Sequence, residues 1–576
     1  MKKIFWALSL LLLSAATWAV PVQRVRLKVR LIDGTEIYVT THGDEHYSWL
    51  ETDDGDVVEP AAGFAGRYTR VQASDQQAAL ASAARVAARR IGSHATAPLP
   101  STGRPKVPVV LLNFQDSVFH VGNTPEEVRQ YYDLFCNGTR DGQRYTGHGS
   151  YGSIADYFLG QSDSIFQPEF VIIGPVQLSH PVSYYGENNG TSKDRRYSEL
   201  TKEAVTKATA MYDGDWSDFD NKKKGGGNVD LVFFIYAGCG ENTCQTNTNL
   251  LWPKENVQTM TTTMDDGTVL RFGASASCCE NYASKLAEDG TPLRVSPDGV
   301  GVMCHELSHA LGLPDMYDTE GTSFGMDVWS LMDYGCYMIN GHAPVAYTAY
   351  ERDFLGWRSL QELTEPGVYT LDPIAAPEGV GMKITNPENP NEYYILEARL
   401  AVNWDRNLAD YGKGLQVTHV DYLSSAWTGN RVNTNANHQR MTIIAANNNY
   451  HGSYYSAAER FKAWEGNLYP YIVRDEAGSV VLCNDSLTAN STPAAKVFTK
   501  SGFMPHTLSR IALSEDEMQV SFLFDGEHYD AIHELFESAS ADKALGEWHD
   551  LSGRRLAAPA RPGVYVWGGR KVVVTK

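Results

Sequence analysis

Short apolar runs alternate with polar turns in the region that follows residue 19. Strand-like runs such as "VQRVRLKVR" and "EIYVTTHG" fall within residues 20–85, and the Asp33-Gly34 dipeptide between them predicts a hairpin. An alanine-rich, helix-like stretch then leads into a segment rich in Pro, Ser and Thr, which is typical of an exposed linker. We therefore predict a small β-rich unit and a linker over residues 20–104.

The pattern becomes mixed over residues 105–358. "VPVVLLNF" and "VDLVFFIYAG" predict buried strands, and "TPEEVRQYYDLF" predicts a helix that Thr124 caps and Pro125 opens. This mixture predicts an α+β arrangement.

Residues 359–526 return to short β-runs separated by turn residues, such as "GVYTL", "EYYILEARL" and "MQVSFLF", and predict a β-sandwich-like domain. Residues 527–576 form a tail that ends in another predicted hairpin, "GVYVWGGRKVVVTK".

The first 19 residues have the pattern of a secretory signal peptide. Lys2 and Lys3 precede an apolar run from Ile4 to Leu13, and small residues follow around Ala15, Ala16 and Ala19. The run is too short to span a bilayer, and nothing downstream is long and apolar enough to do so. We expect a secreted or cell-surface protein that does not span a membrane.

The net charge and the cysteine count bear on possible partners and cross-links. A net charge of −20 argues against nucleic-acid binding, which needs clustered Lys and Arg. Eight cysteines in an exported chain permit up to four disulfides, and Cys239 and Cys244 are the most plausible local pair. No cysteine spacing matches a structural zinc module.

The stretch "HELSHALGLPDMYD" carries the candidate chemistry. Ser296, Pro297 and Asp298 predict a helix start, and Gly312 predicts its end. His305 and His309 lie four residues apart, so both imidazoles share one helix face, opposite the apolar stripe, and can bind one metal ion. Glu306 projects beside that face, where it can reach a metal-bound water as general base without being a ligand.

A third ligand is expected after the helix ends. Gly312 allows the chain to fold back, so Asp315 can supply an oxygen ligand, although Asp318 or Glu320 could compete for this role. Three protein ligands leave one position open, as in catalytic rather than structural zinc sites. The spacing is that of a metzincin peptidase in which aspartate replaces the third histidine.

Two further features bear on this site. "WSLMDYG" is similar to the Met-turn of metzincins, in which Met332 would lie beneath the zinc ligands and Tyr334 would stabilise the oxyanion, with Tyr337 as the alternative tyrosine. Acidic residues around Asp315, Asp318, Glu320 and Asp327 raise the option of Ca²⁺ as an additional cofactor, but their spacing matches no calcium loop.

These motifs, with "LLWP", "YERDFLGW" and "GKGLQVTHVDY", resemble the secreted immune inhibitor A-like zinc metallopeptidases over residues 105–450. The resemblance implies a metzincin-like catalytic domain, with a mixed sheet and an active-site helix, followed by a β-rich domain. It implies that His305, His309 and Asp315 bind Zn²⁺ and that Glu306 is catalytic. His419 in "THVDY" also fits the family pattern, although a strand histidine is more often structural.

The resemblance also implies that the unit before residue 104 is a propeptide, and hence that the protein is a zymogen. A cysteine switch is not expected, because the first cysteine, Cys136, lies in the catalytic region. An acidic residue or a histidine such as His46 would then have to block the site. Arg89 and Arg90 are either a processing site or part of an ordinary linker.

The tail resembles the C-terminal sorting modules of type IX secretion, which would contact the secretion machinery; a plain terminal hairpin is the alternative. Together these features predict a zinc endopeptidase that acts on proteins or peptides. The alternatives are a non-catalytic surface binding protein with a structural or vestigial metal site, and a zinc hydrolase with other substrates.

Overall fold

The structure is a computed structural model. It describes residues 16–18, 20–44, 48–61, 66–71, 97–138, 144–188, 193–244, 247, 249–288, 292–319, 323–408, 411–450, 464–476, 478–526, 548–549, 555–556, 563–567 and 570–574. Within these ranges, no helix combines the length and the apolar character needed to cross a bilayer. The predicted signal-peptide run, Arg89 and Arg90, and His46 lie outside the described residues.

The N-terminal region is all β. Its strands are β1 Ala16–Trp18, β2 Arg26–Arg30, β3 Glu36–Gly43, β4 Ser48–Thr52, β5 Val57–Pro60 and β6 Tyr68–Arg70. Strands β2 to β6 form an antiparallel sheet in sequence order around Leu27, Val29, Val39 and Val58. The predicted hairpin is confirmed, because β2 pairs with β3 across a turn in which Gly34 has a φ of 91°.

A mixed sheet organises the next region. Its strands and their neighbours are β7 Lys106–Asn113, β8 Glu169–Gln177, β9 Asn228–Val229, β10 Val232–Cys239, β11 Lys254–Val257, β12 Met260–Thr263, β13 Val269–Phe272, β14 Ser275–Leu286 and β15 Pro292–Pro297. The main sheet has the order β1-β11-β14-β10-β7-β8, with β15 also paired to β14. Strands β14, β10, β7 and β8 run parallel, whereas β1 and β11 are antiparallel at the edge.

Seven α-helices lie within the described ranges: α1 Pro125–Asn137, α2 Ile154–Gln161, α3 Val182–Gly186, α4 Tyr197–Met211, α5 Val300–Ala310, α6 Ala349–Phe354 and α7 Ser424–Thr428. Short 3₁₀ turns occur at 147–149, 216–219, 327–329, 334–337 and 403–405. Helix α1 begins as predicted, with the Thr124 side chain accepting from the Glu127 amide and Pro125 in the first turn. The α+β class is confirmed.

Both faces of the main sheet are buried, which explains the continuous apolar runs of its parallel strands. Val109 and Leu111 of β7 face one apolar cluster, and Val110 and Leu112 face another. The adjacent Cys278 and Cys279 divide between the same two clusters. All eight cysteines are free thiols, so the structure forms none of the disulfides that the composition permits.

The C-terminal region is built from further sheets. Its strands are β16 Gln361–Glu362, β17 Gly367–Leu371, β18 Met382–Asn386, β19 Asn389–Arg399, β20 Gly414–Asp421, β21 Met441–Ile443, β22 Tyr471–Arg474, β23 Val480–Asn484, β24 Leu508–Leu513 and β25 Val520–Phe524. They form a five-stranded sheet, β16-β18-β19-β20-β21, a three-stranded sheet, β17-β25-β24, and a hairpin, β22-β23.

The tail adds a small antiparallel sheet of order β27-β26-β28-β29, from β26 Trp548–His549, β27 Arg555–Leu556, β28 Gly563–Trp567 and β29 Arg570–Val574. The predicted terminal hairpin is confirmed by the pairing of β28 with β29.

Candidate metal centre

Helix α5 carries both histidines and lies at the centre of the fold. It begins at Val300 after Gly299, so the predicted start at Ser296 is wrong. Residues 292–297 instead form β15, where Ser296 pairs with Tyr282 of β14, and this tertiary pairing overrides the local capping signal. Every residue of α5 is buried, so the histidines face the protein interior rather than solvent.

The end of the helix is as predicted. Leu311 is the C-cap residue of the helix. Gly312 follows with a φ of 101°, a conformation that residues with an L side chain rarely adopt. The chain reverses there and brings Asp315 back beneath the helix.

Three donor atoms converge below the helix. His305 Nε2 and His309 Nε2 lie 3.0 Å apart, and Asp315 Oδ1 lies 3.2 Å from each of them. All three side chains are buried. Within the part of the chain that the structure describes, they are the only group of three or more His, Cys, Asp or Glu side chains whose ligand atoms are close enough to hold one ion.

The hydrogen bonds of the other ring nitrogen, Nδ1, determine the tautomer of each histidine. His305 Nδ1 lies 2.8 Å from the Leu331 carbonyl, and His309 Nδ1 lies 2.8 Å from the Leu313 carbonyl. A carbonyl only accepts, so both Nδ1 atoms carry the proton and both neutral rings present a bare Nε2 lone pair. Burial lowers the pKa of His309 and favours this neutral form.

This donor set fits a metal ion. Two Nε2 lone pairs and a carboxylate oxygen face one another, and Asp315 Oδ1 receives no hydrogen bond from any described group. Three electron-rich atoms in a buried space repel one another unless a cation lies between them, and a set of two imidazoles and one carboxylate suits zinc.

The alternative acidic residues are placed elsewhere. The Asp318 carboxylate accepts from the amide and the hydroxyl of Ser323. Asp327 lies beside Asp333, whose pKa is raised well above its usual range by burial and by that neighbour. Glu320 lies outside the described residues. No group among the described acidic residues forms a second metal cluster, so a Ca²⁺ site is not supported.

The segment that resembles a Met-turn packs against the helix. Met332 is fully buried in the same cluster as Met303 and Leu307, and its carbonyl accepts from the Met316 amide at 2.8 Å. Because the preceding carbonyl, Leu331 O, binds His305 Nδ1, this segment also orients one histidine. His419 is not part of this group; it lies in β20 and pairs with Glu392 at 2.9 Å.

The residues after the predicted signal peptide run through the site. Glu306 Oε1 accepts from the Val20 amide at 3.2 Å, and Trp252 Nε1 donates to the Val20 carbonyl at 3.2 Å. Tyr337 donates to the Pro21 carbonyl at 2.8 Å. We call residues 20–24 the N-terminal segment.

Tyr334 binds the same segment. Its hydroxyl donates to the Val22 carbonyl at 2.5 Å and accepts from the Arg24 amide. Just before this segment, β1 pairs antiparallel with the edge strand β11. Two side chains that the sequence left as alternatives, Tyr334 and Tyr337, therefore both contact the main chain at the site.

Sequence comparison agrees with this geometry. Residues 101–360 match the model of the immune inhibitor A peptidase M6 catalytic domain. The chain contains an immune inhibitor A-like metallopeptidase domain. The matched residues include strands β7 to β15, helix α5 and the segment around Met332.

Individual relatives have related names. The chain is 24% identical over 276 residues to pre-pro-metalloprotease PrtV of Vibrio cholerae serotype O1, covering 43% of this chain and 29% of the relative. It is 24% identical over 219 residues to immune inhibitor A of Bacillus thuringiensis subsp. alesti, covering 34% of this chain and 31% of the relative. The matched region thus spans less than a third of either relative.

Two polar groups at this site carried no signal in the sequence. Asn430, 115 positions after Asp315, forms two hydrogen bonds with it, and the main chain of the N-terminal segment binds Glu306. Neither belongs to a local motif, so neither could be found from spacing alone.

Proposed function

We propose that this protein is a secreted zinc endopeptidase that is made as a latent precursor. His305, His309 and Asp315 hold the ion in this proposal, and Glu306 is the general base. The observation that carries it is the convergence of two bare Nε2 atoms and one carboxylate oxygen next to a glutamate that already contacts a peptide N–H.

A zinc ion at this centre would supply Lewis acidity towards a peptide carbonyl and would lower the pKa of a water molecule. Glu306 takes the proton from the attacking water and delivers it to the leaving amine nitrogen. Its Oε1 lies 3.2 Å from the peptide nitrogen of Val20, which is the kind of contact that the second proton transfer requires.

Tyr334 acts on the carbonyl side of the reaction. Its hydroxyl already donates to a peptide carbonyl, that of Val22, at 2.5 Å. In a substrate complex, the same donor would stabilise negative charge that develops on the scissile carbonyl oxygen.

The edge of the sheet provides a binding surface for an extended peptide. Strand β11 pairs with β14 on one side and with β1 on the other, and β1 belongs to the predicted signal peptide. Removal of β1 would leave the outer edge of β11 open for strand addition by a substrate. Because this mode of binding depends on main-chain hydrogen bonds, we propose proteins and peptides of varied sequence as substrates.

Latency follows from the position of the N-terminal segment. Val20 is buried beside Glu306, and signal-peptide removal after Ala19 would make it the first residue, with an α-amino group in place of the amide that donates to Glu306. The N-terminal segment is hydrogen-bonded to the side chains of Glu306, Trp252, Tyr334 and Tyr337. A substrate could reach these side chains only after the segment has been displaced. We propose that cleavage in the linker, at Arg89 and Arg90, releases the propeptide, and that the tail serves as a type IX sorting module.

The decisive experiment compares Glu306→Gln with wild type after both chains have been cleaved in the linker. We expect Glu306→Gln to bind one zinc ion per chain and to cleave casein roughly 10²–10⁴-fold more slowly, because the general base is lost. Glu199→Gln, an exposed position on α4, is the matched control and should retain wild-type activity.

Other results would lead to different conclusions. Cleavage of casein by zinc-loaded Glu306→Gln at the wild-type rate would refute the mechanism. A wild-type chain that binds zinc but cleaves neither casein nor a peptide library would favour a non-catalytic binding protein, whereas cleavage of esters alone would indicate another class of hydrolase.

A further inference from the structure

Asn430 lies just beyond helix α7 and outside the segment that matches the peptidase family. Asn430 is buried, with 1% of its surface exposed. Its main-chain N–H donates to the Trp427 carbonyl at 3.2 Å. Its φ is 51°, a conformation in which asparagine is several-fold enriched among non-glycine residues. The local backbone therefore favours asparagine, and the side chain is directed inward.

Both ends of the Asn430 side-chain amide bind Asp315. The Asp315 main-chain N–H donates to Asn430 Oδ1 at 2.8 Å, and Asn430 Nδ2 donates to Asp315 Oδ2 at 2.6 Å. Oδ2 is thereby occupied, and Oδ1 is the oxygen directed at the two histidines, 3.2 Å from each. The amide determines which carboxylate oxygen is presented to an ion and at what angle.

The segment that carries Asn430 is anchored to the loop that carries Asp315. Asn433 Nδ2 donates to the Met316 carbonyl at 2.7 Å, and Thr442 Oγ1 donates to the Gly325 carbonyl at 2.6 Å. Trp427 and Val432 lie in the same apolar cluster as the residues of helix α5. Asn430 is thus held in a fixed position relative to the histidines.

We infer that Asn430 is a positioning residue for the metal ligand Asp315, so that the β-rich region beyond residue 360 completes the metal centre. Groups that orient a metal ligand usually affect metal affinity strongly, because a ligand that is free to rotate loses alignment on binding. This inference rests on the proposed zinc site and adds to it a residue that neither histidine spacing nor the family match identifies.

The test uses the full chain and measures zinc binding rather than proteolysis. In Asn430→Gly, the backbone conformation is retained but both hydrogen bonds to Asp315 are lost. We expect its zinc dissociation constant, from competition with a chelator, to rise roughly 10–100-fold. Asn448→Gly is the matched control, because Asn448 also has a positive φ, 53°, but its side chain is exposed; its affinity should equal that of wild type.

A second measurement separates ligand positioning from loop stability and also covers the case in which Asn430→Gly does not fold. Asn430→Asp keeps the acceptor for the Asp315 amide, but it replaces the donor to Oδ2 with a second carboxyl oxygen, which repels the Asp315 carboxylate. With Co²⁺ in place of zinc, we expect its visible absorption spectrum to differ from that of wild type, whereas the spectrum of Asn448→Gly should not.

Unchanged zinc affinity in folded Asn430→Gly, or an unchanged Co²⁺ spectrum in Asn430→Asp, would overturn the inference. If wild type itself bound no zinc, the proposed function would fail instead, so the two failures are distinguishable.

Discussion

Val20 and Glu306 lie 286 positions apart in the chain, yet the amide of the first donates to the carboxylate of the second at 3.2 Å. The neighbouring Val22 is 1% exposed and packs on Trp252. The N-terminal segment is thus held by main-chain hydrogen bonds and by buried apolar side chains, and the proposed latency rests on this arrangement.

Introducing a charged side chain at position 22 should displace the N-terminal segment from the site. In Val22→Asp, an unpaired carboxylate would have to be buried against Trp252, at a cost of several kcal/mol. We expect the uncleaved variant to hydrolyse casein at least tenfold faster than uncleaved wild type. Ile32→Asp is the control, because Ile32 is 47% exposed in the same region, and it should remain latent. Equal latency of all three chains would argue that another group blocks the site.

Zinc should stabilise the fold through the convergent donors. At 100 times its dissociation constant, a ligand that binds only the folded state adds about 2.7 kcal/mol. We expect the Tm of the full chain to be higher with zinc than with a chelator, and we expect this difference to vanish in His309→Ala. In His506→Ala, where the histidine pairs with Asp525 in the C-terminal region, the difference should persist. A zinc-dependent shift that survives in His309→Ala would place the ion elsewhere.

Much of this centre was predictable because its signals are local. The spacing of His305 and His309 places them on one helix face, and Gly312 ends the helix where the backbone needs a positive φ. The parallel strands β7 and β10 were equally clear from their apolar runs. In these cases, the tertiary structure agrees with what short segments favour on their own.

The failures have a common cause in long-range packing. Ser296 and Pro297 have the pattern of a helix start, but pairing with β14 makes them a strand. The burial of α5 on every side was not predicted either, because residues distant in sequence cover it; a Cβ at Gly301 would lie 1.9 Å from the Cys336 carbonyl oxygen. Asn430 could not be assigned, because its partner lies 115 positions away.

Asp298 should make stability depend on pH. Burial raises its pKa from 3.8 to about 7, so the folded state keeps a proton that the unfolded state has already lost between those values. Stability should therefore fall as pH rises from about 4 to 7, by at most about 1.4 kcal/mol per pH unit from this group. Asn at this position cannot ionise, so Asp298→Asn should show a shallower decline.

The measurement is urea unfolding at pH 4.5, 6 and 7.5. Glu397, whose pKa burial also raises to about 7, remains in the variant, so the decline should weaken rather than disappear. The exposed Asp265→Asn serves as the control and should follow wild type. Parallel curves for Asp298→Asn and wild type would show that Asp298 is ionised in the folded protein across this range.

Arg399 is the centre of a buried ion network. It is fully buried and contacts Glu397 at 3.2 Å and Asp405 at 3.1 Å. These two carboxylates also accept the main-chain amides of Ala349 and Ala346, respectively, and so fix the start of helix α6. Loss of the guanidinium would leave two buried carboxylates without their cation.

We therefore expect Arg399→Met to reduce the free energy of unfolding by about 3–5 kcal/mol. Arg406→Met removes an exposed arginine whose guanidinium binds the Gly149 carbonyl, and it should cost less than about 1 kcal/mol.

Helix α6 carries Glu351, which accepts from Ser330 at 2.6 Å, one residue before the carbonyl that orients His305. Arg399→Met should for this reason also weaken zinc binding, and a large loss of stability with unchanged zinc affinity would show that the network supports the fold without reaching the metal centre.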